Sequence, residues 1–153
     1  MKPAAEVIDV TFCDQVRRED NGKLLILGVY INKVIVAGIP CRIPSFAFVV
    51  KWRIRSGWMP NGSYAVRAPS GNVLVNAEVR LERPGVTPGP GEVIAVMGIH
   101  QLSPFVFEEL GRYRLTFSRP GSRARTIATF DVELPPQLRQ DIGQAESQSE
   151  RPV

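Results

Sequence analysis

The chain has 153 residues, 44% of them hydrophobic and 22% charged, which suits one globular domain with a single core. No apolar run reaches the roughly 20 residues that a membrane-spanning helix needs. The net charge of +4 permits contact with a polyanion without requiring it.

The first residues of the chain and its two cysteines predict the cellular compartment and the state of the thiols. Glu6 and Asp9 occupy positions that would be apolar in a signal peptide, so we expect a cytoplasmic protein that does not contact a membrane. Cys13 and Cys41 are far apart in sequence and lack the spacing of a redox or zinc motif. We therefore expect two free thiols, no metal site and no cofactor.

The first predicted strands surround a tight turn. Residues 6–14 alternate weakly between apolar and polar positions and predict a strand. Asp20-Asn21-Gly22 predicts a hairpin turn, because Asn and Gly tolerate positive φ angles. Residues 23–31 are apolar on both parities of the strand that follows. We expect this strand to be covered on both faces at the centre of the core.

Residues 46–55 form the clearest alternating segment of the chain. Since side chains of a strand alternate between its two faces, we expect one aromatic face to be buried: Phe46, Phe48, Val50, Trp52 and Ile54. The other face is expected to be basic and solvated, through Lys51, Arg53 and Arg55. The loop that follows contains Trp58 and Met59.

The remaining elements continue the strand-and-turn pattern. Residues 64–67, 73–81 and 92–102 predict strands, and the Gly/Pro-rich residues 84–91 predict a long exposed loop. Residues 112–118 and 123–134 predict a terminal hairpin. The polar residues 135–153 predict a disordered tail. Eight or nine short strands over residues 5–134 indicate an all-β domain, an antiparallel β-sandwich, with a barrel as the alternative.

Several short motifs together resemble a family of small bacterial proteins of unknown function. They are Cys13-Asp14, Asp20-Asn21-Gly22-Lys23-Leu24, Leu27-Gly28-Val29-Tyr30, the segment from Pro40 to Phe48, Pro69-Ser70-Gly71 and Phe107-Glu108-Glu109-Leu110-Gly111-Arg112-Tyr113. The resemblance covers most of residues 7–134. It implies a compact β-sandwich and supplies no catalytic residue.

Basic side chains form one candidate site. Arg112 and Arg114, and likewise Arg123 and Arg125, are expected to share a face of the terminal hairpin. Four guanidinium groups on one face would repel each other unless an anion or acidic residues lay among them. Together with the basic face of residues 51–55, they make weak binding of nucleic acid or another polyanion one hypothesis. Neighbouring acidic residues that neutralise these cations are the simpler explanation.

The leading functional hypothesis is a non-catalytic module that binds another protein through sheet edges or exposed loops. Trp58 and Met59 are candidate contact residues, although both could equally pack beneath their own loop. An enzyme of unknown class is a further alternative, which would have to bring His100, the single histidine, together with a cysteine and a carboxylate. The sequence leaves the identity of the partner and the oligomeric state open.

Overall fold

A computed structural model describes residues 5–55, 60–79 and 91–140. Eleven strands are described in these ranges: β1 (Ala5–Arg18), β2 (Leu24–Tyr30), β3 (Lys33–Ile35), β4 (Cys41–Ile43), β5 (Phe46–Arg55), β6 (Ser63–Arg67), β7 (Val73–Glu78), β8 (Val93–Leu102), β9 (Phe105–Phe107), β10 (Gly111–Ser118) and β11 (Arg125–Glu133). The number exceeds the expected eight or nine because β3, β4 and β9 are three-residue strands.

The strands form two main sheets and a small third one. The first sheet has the order β2-β1-β5-β8, and the second has the order β3-β11-β10-β6-β7. The strands β4 and β9 form a separate antiparallel pair. All pairings are antiparallel except the one between β3 and β11, which is parallel. The predicted all-β sandwich is confirmed, and so is the predicted terminal hairpin, which consists of β10 and β11.

The core lies between the two main sheets and is largely aromatic. Trp52 of the first sheet packs edge-on against Phe117 of the second, with ring centroids 5.0 Å apart. The Trp52 indole N–H donates a hydrogen bond of 2.6 Å to the hydroxyl of Tyr64. Burial raises the pKa of Tyr64 to about 12, although the Trp52 hydrogen bond opposes the shift. The predicted inner parity of β5 is confirmed, since all five of its apolar residues are buried.

The predicted location of β2 is wrong. Its apolar sequence indicates burial on both faces, yet β2 is an edge strand, and β1 is its one neighbour among the described strands. Leu25, Leu27 and Val29 are exposed on the outer face of the sheet. The hairpin turn itself is confirmed: Glu19 N–H bonds to the Lys23 carbonyl at 2.9 Å, and Gly22 has a φ of +80°. A tight turn places β2 beside β1, and none of the other described strands pairs with the second side of β2.

The last described segment is helical. Residues 136–140 follow β11 and lie within the segment for which the sequence predicts a disordered tail. Arg139 donates from Nε to the carbonyl of Leu134 at 2.9 Å and forms an ion pair with Glu133, which joins this segment to the end of β11. The rest of the predicted tail and the predicted loop at 84–91, apart from Gly91, lie outside the described residues.

Candidate functional site

The basic residues of β5 lie opposite acidic residues of β1. Lys51 is the cross-strand partner of Asp9, and Arg53 that of Glu6. Arg53 and Glu6 also form an ion pair. Arg55, at the end of the strand, lies opposite Val93. The predicted basic face therefore exists, but neighbouring carboxylates compensate two of its three charges.

The terminal hairpin does not gather four guanidinium groups on one face. The register between β10 and β11 shifts after Leu115, so that Arg125 pairs with the buried Phe117. Cross-strand partners share a face, which separates Arg125 from Arg112 and Arg114. Arg123 precedes β11 and lies outside the strands. The predicted common face is therefore wrong.

Arg112 has an acidic partner. It donates two hydrogen bonds to the carboxylate of Asp131, of 2.9 and 3.1 Å. This guanidinium lowers the pKa of Asp131, and the same bonds raise the pKa of Arg112. Arg114 lies between Arg67 and Thr129 on the outer face of the second sheet. Anion binding by these residues stays a prediction, as does protein contact by Trp58 and Met59, which lie outside the described residues.

The opening motif of the resemblance forms a structural contact. The carboxylate of Asp14 accepts a hydrogen bond from the hydroxyl of Tyr30. Asp14 lies over Gly28, where a Cβ would overlap the carboxylate, and Gly28 has a φ of +64°. Burial, and then the hydrogen bond with Asp14, raise the pKa of Tyr30 above its ordinary value. The motif therefore fixes the pairing of β1 with β2.

The two later motifs contact each other. The Tyr113 hydroxyl donates to the carbonyl of Glu109 at 2.9 Å, and the Glu109 carboxylate accepts a bond of 2.9 Å from the backbone N–H of Ser70. A Cβ on Gly111 would approach the ring of Pro69. The Pro-x-Gly turn and the Phe-Glu-x-x-Gly-x-Tyr segment are thus joined. Their polar residues hold a corner of the fold together.

The outer faces of the two sheets differ in chemistry. The outer face of the second sheet is polar through most of its members: Ser63, Arg67, Asn76, Arg112, Arg114, Thr116, Thr126, Thr129 and Asp131. The outer face of the first sheet contains the charged pairs Glu6–Arg53 and Asp9–Lys51, and an apolar part, which we call the apolar face and define as Leu25, Leu27, Val29, Val49, Met97 and Ile99. The small side chains of Cys13 and Ala47 lie between β2 and β8 in this face and are buried.

The apolar face is exposed mainly along β2. Val29 is 52% exposed, and Ile31, directly after the strand, is 79% exposed. Large apolar side chains exposed in a row are unusual for a monomer and mark a contact surface. The strand is also an open sheet edge, so the site combines apolar side chains with main-chain hydrogen-bonding groups. We take the apolar face together with the β2 edge as the candidate functional site.

His100 and Cys13 lie on opposite faces of the first sheet. His100 lies on the inner face of the first sheet, with its ring 5.0 Å from the centroids of Phe48 and Tyr64. Cys13 lies on the opposite face, where burial raises the pKa of its thiol. Both cysteines are free thiols. In residues 5–55, 60–79 and 91–140, no three His, Cys, Asp or Glu side chains cluster as they would around a metal ion.

Helices contribute little to the described part of the chain. Within it, no helix has the length and apolar character required to cross a membrane.

The fold and this site define an all-β domain with a row of exposed apolar side chains along one sheet edge. The chain belongs to a family of unknown function, DUF6941, whose model matches residues 8–130. The family resemblance read from the motifs is thereby confirmed. No curated protein and no solved structure matches the chain.

Sequence reasoning did not find the apolar face, although the signal was present. Residues 24–32 contain no charged side chain, and both parities of β2 are apolar. Burial inside the core and burial against another molecule leave the same pattern in a sequence. Only the strand order separates the two interpretations.

Proposed function

We propose that this domain is a non-catalytic, cytoplasmic module that binds another protein through the apolar face. The observation that carries the proposal is the row of exposed apolar side chains along one edge strand, Leu25, Leu27 and Val29. Apolar contact of this kind stabilises association by removing surface from water.

Three further features support a binding role. The polar residues of the quoted motifs make contacts within the fold, as Asp14 does with Tyr30 and Glu109 does with Ser70. Along β2, Leu25, Leu27 and Val29 carry no charge that would have to be desolvated on contact, and the nearest charged side chain of the same face is Arg17, opposite Leu25. The face is also rigid in its centre, because Val49 is buried within a strand paired on both sides.

Affinity capture from the native host tests the proposal. Tagged full-length protein, Leu27→Lys and Thr129→Lys are compared by quantitative mass spectrometry. Leu27→Lys places a charge on the apolar face, and Thr129→Lys places the same charge on the exposed outer face of the second sheet. We expect proteins captured by the wild type to be retained by Thr129→Lys and lost by Leu27→Lys. Equal capture by all three would overturn the proposal.

A further inference from the structure

The free side of β2 has a defined set of main-chain groups. In an antiparallel pair, hydrogen-bonded and non-hydrogen-bonded residue pairs alternate. Glu19 N–H bonds to the Lys23 carbonyl at 2.9 Å, and the register continues with Arg17 opposite Leu25. Leu25, Leu27 and Val29 therefore direct their N–H and C=O groups toward β1. The groups of Leu24, Ile26 and Tyr30 point to the open edge, whereas Gly28, with a φ of +64°, departs from the extended conformation.

This edge lacks the features with which monomeric proteins protect an exposed strand. Such features are a charged side chain, a proline or a β-bulge along the edge. From Leu24 to Asn32 the sequence has no charge and no proline. The register between β1 and β2 has no shift, although Gly28 is not among its paired residues. Among the described residues, the edge is therefore available for pairing on either side of Gly28.

We propose that β2 pairs antiparallel with β2 of a second copy of this chain, joining two four-stranded sheets into one. This rests on the proposed function, because it identifies the protein bound at the apolar face. The partner is a second copy because β2 is complementary to itself. Its outward main-chain groups meet the same groups of the copy, and its apolar side chains meet one another.

The geometry selects one register. Residues that point to the open edge must face each other across the two-fold axis. Complete overlap of Leu24–Tyr30 then places Leu24 opposite Tyr30 and Ile26 opposite Gly28, with Leu27 on the axis. The two pairs of Leu24 with Tyr30 contribute about four main-chain hydrogen bonds in this register.

The side chains agree with this register. Leu25 of one copy lies opposite Val29 of the other, and the two Leu27 side chains meet on the axis, which gives a continuous apolar row. The first charged residue on either side, Lys23, faces Ile31. No like charges are opposed, so the pairing carries no electrostatic penalty across the strands.

The other edge of the same sheet, β8, is less suited to this pairing. Self-pairing of β8 about Met97 would place Val93 opposite Gln101, which interrupts the apolar row with an amide. Gln101 also spans the sheet to accept a bond of 3.2 Å from the Val16 N–H. Leu74 and Val75 of the second sheet border β8 across a cavity of about 470 Å³. The two edges of the first sheet thus provide a matched pair for experiment.

Light scattering coupled to gel filtration tests the pairing in purified full-length protein over a range of concentrations. Val29→Lys is compared with Val93→Lys, because the two valines are 52% and 48% exposed on opposite edges of one sheet. We expect the wild type and Val93→Lys to be dimers, with twice the 16.9 kDa mass of one chain, and Val29→Lys to be a monomer. Circular dichroism verifies that both variants are folded.

A monomeric wild type at all concentrations would overturn the second copy as partner. If Val93→Lys were monomeric and Val29→Lys were dimeric, β2 would not be the strand that pairs between the two copies. The proposed function would still stand if native-host capture of a different protein depended on Leu27. The proposed function would fail together with the dimer if the proteins captured from the native host did not depend on Leu27.

Cysteine cross-linking tests the register. Leu27→Cys is expected to form a disulfide-linked dimer under mild oxidation, because the two residues are adjacent on the axis. Leu25→Cys is the matched control, since its copy lies four residues away along the strand, about 13 Å, beyond disulfide reach. Native Cys13 and Cys41 are present in both variants. Faster cross-linking of Leu25→Cys than of Leu27→Cys would contradict the register.

Discussion

Gly28 is the residue of β2 at which both the backbone and a neighbouring side chain oppose substitution. Its φ of +64° costs an L-residue about 1–2 kcal/mol. A Cβ would also overlap the Asp14 carboxylate, which accepts the hydrogen bond of Tyr30. Displacing this carboxylate loses a bond to a charged acceptor, about 1.5 kcal/mol at an exposed site. We expect Gly28→Ala to lower the free energy of unfolding by about 2.5–3.5 kcal/mol.

Gly22 provides the matched control for this substitution. It also has a positive φ, but nothing lies within 4 Å of its Cβ position. Gly22→Ala is therefore expected to cost only the backbone strain, about 1–2 kcal/mol. In an Asp14→Ala background, Gly28→Ala is expected to cost the same as Gly22→Ala. Urea unfolding followed by tryptophan fluorescence measures the wild type and the four variants: Gly28→Ala, Gly22→Ala, Asp14→Ala and the double variant. Equal losses for the two glycine substitutions in the wild-type background would refute the contact with Asp14.

The remaining predictions concern the core, the hairpin and the basic face. Tyr64→Phe leaves the buried Trp52 N–H without its acceptor and is expected to lower the free energy of unfolding by about 1–3 kcal/mol, measured by urea unfolding. Because Arg112 lowers the pKa of Asp131 from 3.8, their ion pair stabilises the fold above that pH and ceases to do so as the pH falls through the lowered value. Arg112→Gln is therefore expected to lower Tm at pH 6 but not at pH 2; a loss of equal size at both values would contradict this. Since Glu6 neutralises Arg53, we expect no oligonucleotide binding at low salt by fluorescence anisotropy. Binding that is abolished by Arg53→Glu would show instead that the basic face of β5 binds a polyanion.

The sequence predicts those elements whose pattern depends on local geometry alone. In β5 the alternation of apolar side chains decides which face is buried, and the structure confirms it from Phe46 to Ile54. The turn at Gly22 and the terminal hairpin depend on local conformational preference and are confirmed for the same reason.

The predictions that failed depend on relations between distant strands. The apolar character of β2 does not reveal which strands flank it, so an edge strand was assigned to the core. A single register shift after Leu115 moves Arg125 to the other face of β11, and no residue type in the hairpin indicates it. The acidic partners of Lys51 and Arg53 come from β1, about forty residues away, and become visible only through the register.

The parallel pairing of β3 with β11 has a consequence for synthesis of the chain. Lys33 and Glu133, joined by an ion pair of 3.2 Å, are 100 residues apart. At about 5–20 residues per second, a ribosome needs about 5–20 s to make the intervening segment. During that interval the first hairpin is complete while β11 does not yet exist. Nascent chains therefore expose the inner face of this hairpin for seconds, because Phe12 of β1 lacks Phe130 of β11, against which its ring packs in the complete domain.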